Sequence, residues 1–263
     1  LSGSASSGPP FTPRKQWFSD PCQIRFPMAR HTLVIDDRSL PDQPGSPIQI
    51  EGDEAKHAIR VKRVAEGDAV RVLDGKGLVL TTRVTDARRT LHLVVESVEE
   101  EPRPGVTLQM ATATPKGPRL DKMIDMLSQV GASAWHPLST KYGVVEPGAN
   151  KIDRMERICR ESAKQALRAW PMQIGAPLAL SDALETESGE RLVIADASGG
   201  EYRPSGPGIV RALVGPEGGW TSEELDAAQR AGAQMVGLGP HVLRIETAAG
   251  VLASLIVRSE AAT

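Results

Sequence analysis

Two stretches decide how this chain is read: Leu213-Val214-Gly215-Pro216-Glu217-Gly218-Gly219 and Leu238-Gly239-Pro240-His241-Val242-Leu243-Arg244-Ile245-Glu246-Thr247-Ala248-Ala249. Each follows an apolar, strand-like run (residues 209–214 and 235–238) and each leads into a helical pattern. Glycine permits positive φ and carries no Cβ, so such turns can close around a ligand with amides and carbonyls presented. A lone Gly-Pro-Glu-Gly-Gly would read as a tight strand-to-helix turn. Two glycine turns at strand ends in one domain predict a small-molecule site at the carboxyl edge of a parallel sheet. The spacing is not Gly-x-Gly-x-x-Gly and carries no Walker lysine, which speaks against a dinucleotide or nucleoside triphosphate. Arg244 and Glu246 place charges between a glycine turn and a buried helix, where unpaired charge is costly. They are either functional or a salt bridge that pins the loop.

Outward from these turns, residues 106–257 alternate strand and helix patterns, the mark of an α/β domain with a parallel sheet. Residues 106–113 read as a strand. Leu120, Met123, Ile124, Leu127 and Val130 then recur at helical spacing, with Gly131 placed to end the helix. A second helix is expected over 151–168, with Ile152, Met155, Cys159 and Ala163 inward. Lys151, Arg154, Arg157, Lys164 and Arg168 form a cationic stripe, with Glu161 among them. Such a stripe is usually a solvated face, or else an RNA contact. Residues 192–195 and 209–214 read as strands. Thr221-Ser222-Glu223-Glu224 is a capping box opening a helix that stops at Gly232. Residues 247–257 are apolar enough for a helix buried on most sides.

Upstream, residues 31–98 are strand-rich. Runs at 31–35, 47–50, 69–73, 78–84 and 91–98 read as short strands, Asp74-Gly75-Lys76-Gly77 as a hairpin turn, and 53–64 as a helix with Ala55, Ile59 and the Lys62 stem inward. That set suggests a small barrel. Lys56, Arg60, Arg63, Arg88 and Arg89 give it a cationic patch. Glu99-Glu100-Glu101-Pro102-Arg103-Pro104-Gly105 marks the boundary.

The chain has 263 residues, 40% hydrophobic and 24% charged, with a formal net charge of −2. That is a globular composition, and any nucleic-acid contact must come from local patches. Aromatics are only 3%, too few for a base-stacking platform; Trp135, Trp170 and Trp220 read as packing groups. Cys22 and Cys159 are far apart, and the five histidines show no ligand or triad spacing. We therefore expect no disulfide, no metal and a cytoplasmic setting. No apolar stretch is long enough to span a bilayer, so no membrane association is expected. Residues 1–27 are rich in Ser, Pro and Gly and lack acids before Asp20. They are expected to be disordered, whether as an upstream extension before a start near Met28 or as a transit peptide.

Several stretches in this order and register resemble the RsmE family of 16S ribosomal RNA uridine N3-methyltransferases, in the SPOUT superfamily, over residues 28–262. They are His57-Ala58-Ile59-Arg60-Val61-Lys62-Arg63 with Glu66-Gly67-Asp68; Asp74-Gly75-Lys76-Gly77; Ala113-Thr114-Pro115-Lys116-Gly117; Glu161-Ser162-Ala163-Lys164-Gln165 with Arg168; and the two glycine turns. The resemblance implies a PUA-like RNA-binding β-barrel (28–101) followed by a SPOUT α/β methyltransferase domain with a trefoil knot (105–263). It implies a homodimer holding S-adenosylmethionine in the knot loops, with 16S rRNA or the small ribosomal subunit as partner. Mapped onto this chain, the cofactor residues are Ala197, Leu213, Gly215, Pro216, Glu217, Gly218, Gly219, Leu238, Gly239, Val242, Leu243, Arg244, Glu246, Thr247 and Ala248. The RNA-side residues are Lys56, Arg60, Arg63, Lys116, Arg154, Arg157, Lys164, Gln165 and Arg168. Where the family reads Gln-Ser/Cys-Gly-Arg-Asn-Arg, this chain has Gln165-Ala166-Leu167-Arg168-Ala169-Trp170, a departure on the RNA side.

Uridine N3 is an imide nitrogen that must lose its proton before it attacks a methyl group. Glu246 and Glu217, the carboxylates inside the cofactor turns, are candidates for the base or for orienting the loops. Arg244 and Arg168 are candidates for stabilising the imidate or gripping phosphate. Ribose 2′-O-methylation by a related knotted enzyme, or a catalytically silent RNA-binding assembly factor, are the competing expectations.

Overall fold

The computed structural model describes residues 29, 31–35, 40–143 and 147–263. The expectations for residues 1–27 and for Cys22 lie outside the described residues. The first sheet comprises β1 (His31–Val34), β2 (Pro47–Ile50), β3 (Ala69–Leu73), β4 (Leu78–Ala87) and β5 (Leu91–Glu100), in the order β1-β3-β4-β5-β2, with helix α1 (Gly52–Arg60). Asp74 closes the β3–β4 hairpin by accepting from the amides of Lys76 (2.6 Å) and Leu78 (2.9 Å). Register shifts at Thr81/Thr82 and Val84/Asp86 bend β4 against β5. Ala55 and Ala58 of α1 join Leu33, Val70, Val72, Leu80, Leu91 and Leu93 in one apolar core.

The helix expected over 53–64 stops at Arg60. The Val61 and Lys62 amides both return to the His57 carbonyl, and Arg63 takes φ 55. Ala58 rather than Ile59 is the buried partner of Ala55, and Lys62 donates Nζ to the Thr32 carbonyl at 3.0 Å.

The second sheet is parallel. Its elements are β6 (Val106–Thr112), α2 (Pro118–Val130), β7 (Ala134–Ser139), α3 (Ala149–Ala166), β8 (Gln173–Ile174), β9 (Leu178–Ala179), α4 (Leu180–Leu184), β10 (Glu190–Gly200), β11 (Gly208–Val214), α5 (Ser222–Arg230), β12 (Gln234–Val236) and α6 (Ile245–Glu260). The strand order is β12-β10-β11-β6-β7-β8, with β9 also on β7. Alternation along the strands feeds two layers. Met110, Val193, Val210 and Ala212 pack with α2, α3 and α6, whereas Ala111, Leu192, Ile194 and Leu213 pack with α4 and α5. Trp135 is fully buried and its indole donates to Thr112 Oγ1 at 2.9 Å, so its polar atom is satisfied. β7, β8, β9 and α4 were not foreseen. Pro137 interrupts the first, and elements of two to five residues carry no readable period. No helix of the described residues is long and apolar enough to cross a membrane.

The two sheets meet at a polar seam and an apolar plug. Lys164 of α3, with a side chain only 6% exposed, sits between Glu54 of α1 (2.7 Å) and Glu161 (2.9 Å). Glu161 still pairs with Lys164 when Glu54 is removed, so that loss costs about 1–3 kcal/mol, the scale of one hydrogen bond to a charged group. Beside it, Ala169 and Trp170 pack on Val34, Leu73 and Val79. The Trp170 indole donates to the Glu101 carbonyl at 3.0 Å and stacks under Arg103 at 4.5 Å.

Gly77 makes this plug possible: its φ is 105, and a Cβ there would lie 2.6 Å from the Trp170 ring. Gly77→Ala should destabilise the protein by about 1–3 kcal/mol, read as a lowered denaturation midpoint. Gly148→Ala, where a Cβ meets open space, should cost only about 0.5 kcal/mol in the same assay, the preference for glycine over alanine at the N-cap of α3.

Candidate functional site

The carboxyl ends of β10, β11 and β12 open on one edge of the parallel sheet, beside the point where β6 separates strands running to either side. After β11 the chain turns through Gly215–Gly219, closed by the Gly219 amide on the Pro216 carbonyl at 2.9 Å. It then enters α5 through the expected capping box, Thr221 Oγ1 accepting from the Glu224 amide. The other Glu224 oxygen accepts from the Lys141 amide at 2.9 Å, tying this turn to the end of β7. Trp220 reaches across to donate its indole N–H to the Ala195 carbonyl of β10 at 2.9 Å. Its ring occupies the space beside Gly215, where a Cβ would stand 2.7 Å away.

These contacts draw residues 195–197, 214–220 and 238–248 around a single cavity of about 280 Å³. Of the residues expected to hold a cofactor, Ala197, Gly215, Pro216, Glu217, Gly219, Leu238, Gly239, Val242, Leu243 and Ala248 line it. Leu213 lies behind it in the core, and Gly218 faces Tyr142. Arg244, Glu246 and Thr247 stand at the start of α6, next to the lining residues Leu243, Ile245 and Ala248. Trp220 and Ala195 are lining residues that the sequence did not reveal.

The two candidate carboxylates differ. Glu217 is exposed and paired with Arg119 of α2, Nη1 to Oε1 2.6 Å. That hydrogen bond, and then the Glu217 and Glu246 charges, hold the Arg119 guanidinium above its ordinary pKa. Glu246 keeps a buried Oε2 with no hydrogen-bond partner among the described residues. Arg119 was missed from sequence. Its signal was a cation in the first turn of the helix that follows the central strand, two residues past Gly117.

The cations divide in two. Lys56, Arg60, Arg63, Lys116, Arg154 and Arg157 are exposed, as is Gln165; Lys56 pairs with Asp53 at 3.1 Å and Arg154 pairs with Asp121. Lys164 and Arg168 correct the expected stripe, because both turn inward. Lys164 is in the seam. Arg168 follows Leu167, whose φ of 57 ends α3, and its guanidinium donates to the carbonyls of Ser128 and Ala132. Burial lowers its pKa, with Glu101 opposing. Those two carbonyls belong to the end of α2 and the turn after it, where helical carbonyls lack partners. Arg168 thus stitches α3 to α2.

Among the described residues, no group of three His, Cys, Asp or Glu side chains could hold a metal ion.

An α/β sheet with a glycine-walled cavity at its carboxyl edge, joined to a small β-rich unit, defines an enzyme class that binds an organic cofactor beside a larger substrate. A family model described as RNA methyltransferase domain matches residues 101–257, and one described as RNA methyltransferase PUA domain matches 50–96. The chain is 33% identical to ribosomal RNA small subunit methyltransferase E of Synechocystis sp., over 72% of this chain and 65% of that protein. It is 32% identical to the protein of that name from Mycobacterium tuberculosis, over 81% of this chain and 86% of that one. Among solved structures, a probable rRNA-methyltransferase from Porphyromonas gingivalis superposes with TM-score 0.74 at 26% identity, covering 88% of this chain and 98% of that chain. A ribosomal RNA small subunit methyltransferase E from Neisseria gonorrhoeae, bound to S-adenosyl methionine, gives 0.76 at 23% identity, covering 85% and 94%. The chain belongs to the RNA methyltransferase family, in the branch of the small-subunit ribosomal RNA methyltransferases E.

Arg168→Ala should lower stability by about 2–4 kcal/mol, because two buried carbonyls lose a charged donor. Chemical denaturation measures this, and Arg168→Lys, which lacks the planar fork, should recover only part of the loss.

Proposed function

We propose that the protein methylates N3 of a uridine in small-subunit (16S) ribosomal RNA, using S-adenosylmethionine. The observation that carries this reading is the convergence of three strand-end loops on one cavity, with Glu246, whose buried Oε2 has no partner among the described residues, lying in sequence between the lining residues Ile245 and Ala248. The cavity suits an organic cofactor with an apolar ring and a polar tail. Leu238, Leu243, Ile245 and Ala248 give apolar wall, and the glycine turns give backbone donors and acceptors. Gly239 has φ 116 and open space where a Cβ would project, so the wall is backbone there. When bound, S-adenosylmethionine supplies an electrophilic methyl carbon, whose bond to sulfur breaks with its electron pair left on sulfur.

The protein's own residues prepare the nucleophile. Glu246 accepts the N3 proton at Oε2, leaving the N–H electron pair on nitrogen. Glu217 orients the 215–219 turn through its ion pair rather than acting as base. Arg244, exposed at the N-cap of α6, is placed to grip a flanking phosphate. The uridine enters unpaired, since N3 lies on the pairing edge. Residues 28–101 form the RNA-binding unit, and Lys56, Arg60 and Arg63 hold backbone phosphates. Residues 105–263 form the methyltransferase unit, with a trefoil knot. The protein works as a cytoplasmic homodimer without metal. Val242, fully exposed at the cavity mouth, and Val251, 41% exposed on α6, are apolar surface for the second copy.

Mass spectrometry of small-subunit rRNA from cells with and without the gene tests the reading: N3-methyluridine should disappear with the gene. Loss of a 2′-O-methyl nucleoside instead would select the ribose reaction, and failure to bind S-adenosylmethionine in calorimetry would select a silent assembly factor. Glu246→Gln should lower turnover about 10²–10⁴-fold while cofactor affinity holds.

A further inference from the structure

We propose that Arg119 is a catalytic residue that contacts a uracil carbonyl oxygen next to N3 and stabilises the negative charge that develops there. This rests on the function proposed above. Arg119 belongs to the first turn of α2, far in sequence from the cofactor turns, yet its guanidinium is brought against Glu217 within them. Its side chain is 31% exposed and that of Glu217 60%, so the pair borders solvent rather than being sealed in the core. Its contact with Glu217 engages Nη1, and a guanidinium carries further donors in a planar fork. The carboxylates of Glu217 and Glu246 are the charges that act on it. The same cation therefore touches the cofactor turn and feels the charge of the carboxylate assigned to the N3 proton.

The surroundings suit a uracil ring. Thr140 just after β7 and Thr114 just after β6 have buried hydroxyls with no partner among the described residues, and a hydroxyl can serve either a carbonyl or an N–H. Near Gly143, Thr140 Oγ1 and the Pro216 ring of the cofactor turn converge: a Cβ there would lie 3.2 Å and 3.1 Å from them. Tyr142, 62% exposed, packs its ring edge and Cβ towards Gly218, leaving an aromatic surface at the rim. Acceptor carbonyls flank N3 on both sides of the ring. As the N3 proton passes to Glu246 Oε2, the electron pair left behind spreads onto those oxygens before it forms the bond to the methyl carbon. A guanidinium held in advance by Glu217 meets that charge without reorganising. Arg168, by contrast, spends its donors on main-chain carbonyls of α2 and its following turn.

The test compares wild type, Arg119→Ala and Arg119→Lys in single-turnover methylation of small ribosomal subunits, with cofactor affinity followed by calorimetry. Each enzyme is also assayed on particles whose RNA carries 5-fluorouridine, whose N3–H is more acidic. Arg119→Ala should slow the methylation step roughly 10²–10³-fold, far more than the few-fold loss of cofactor affinity expected from freeing the Glu217 turn. The deficit should shrink on the fluorinated RNA and at alkaline pH, where the anion needs less help, and Arg119→Lys should retain part of the rate. A variant as fast as wild type, or a deficit equal on both RNAs and at every pH, overturns the assignment while leaving the proposed function intact. A wild type that forms no N3-methyluridine overturns both.

Discussion

Where β10 runs past the end of β12, the main chains of Gly199 and Gly237 touch. A Cβ on Gly199 would meet the Val236 main chain at 2.5 Å, and one on Gly237 would meet the Gly199 carbonyl oxygen at 2.6 Å. No side chain of any kind fits between the two segments. That closeness lets β10 continue to Gly200 and pair with Val236 after a shift of register. The 195–197 segment consequently lies over the same sheet edge as the turns after β11 and β12. Two features of the cavity follow: Trp220 can reach Ala195, and the three loops share one wall.

The chemistry is divided by burial. The apolar wall and backbone amides occupy the cavity, and the charges stand at its border: Glu217 paired with Arg119, and Glu246 with one oxygen buried and unsatisfied. An orphaned buried carboxylate oxygen costs stability unless something is later placed against it.

Much of this was legible from residue order. The glycine turns, the Thr221 capping box, the α2 stop at Gly131 and most strands of both sheets follow from local rules that tertiary structure did not override. The cavity itself was legible because two turns after strands must open on the same edge when the strands are parallel. The illegible part is non-local. The stripe at 151–168 has helical spacing throughout, but spacing cannot say that Lys164 finds Glu54 or that Leu167 ends the helix and turns Arg168 toward Ser128. Arg119 escaped for the same reason, since its partner lies almost a hundred positions away. Trp170 packs, as its residue type led one to expect, but nothing local says that its ring wedges between the two sheets.

The buried Lys164 ties the history of the two halves together. Its ammonium is neutralised from one side by the helix that carries it and from the other by Glu54, which belongs to the β-rich unit. A chimera that imports the β-rich half from a relative without an acid at that place would leave the buried lysine with Glu161 alone, losing the ion pair that crosses the joint. Exchange of modules in this lineage is therefore constrained to come with matching joint residues, so recognition of new RNA sites should arise more readily by surface change than by shuffling.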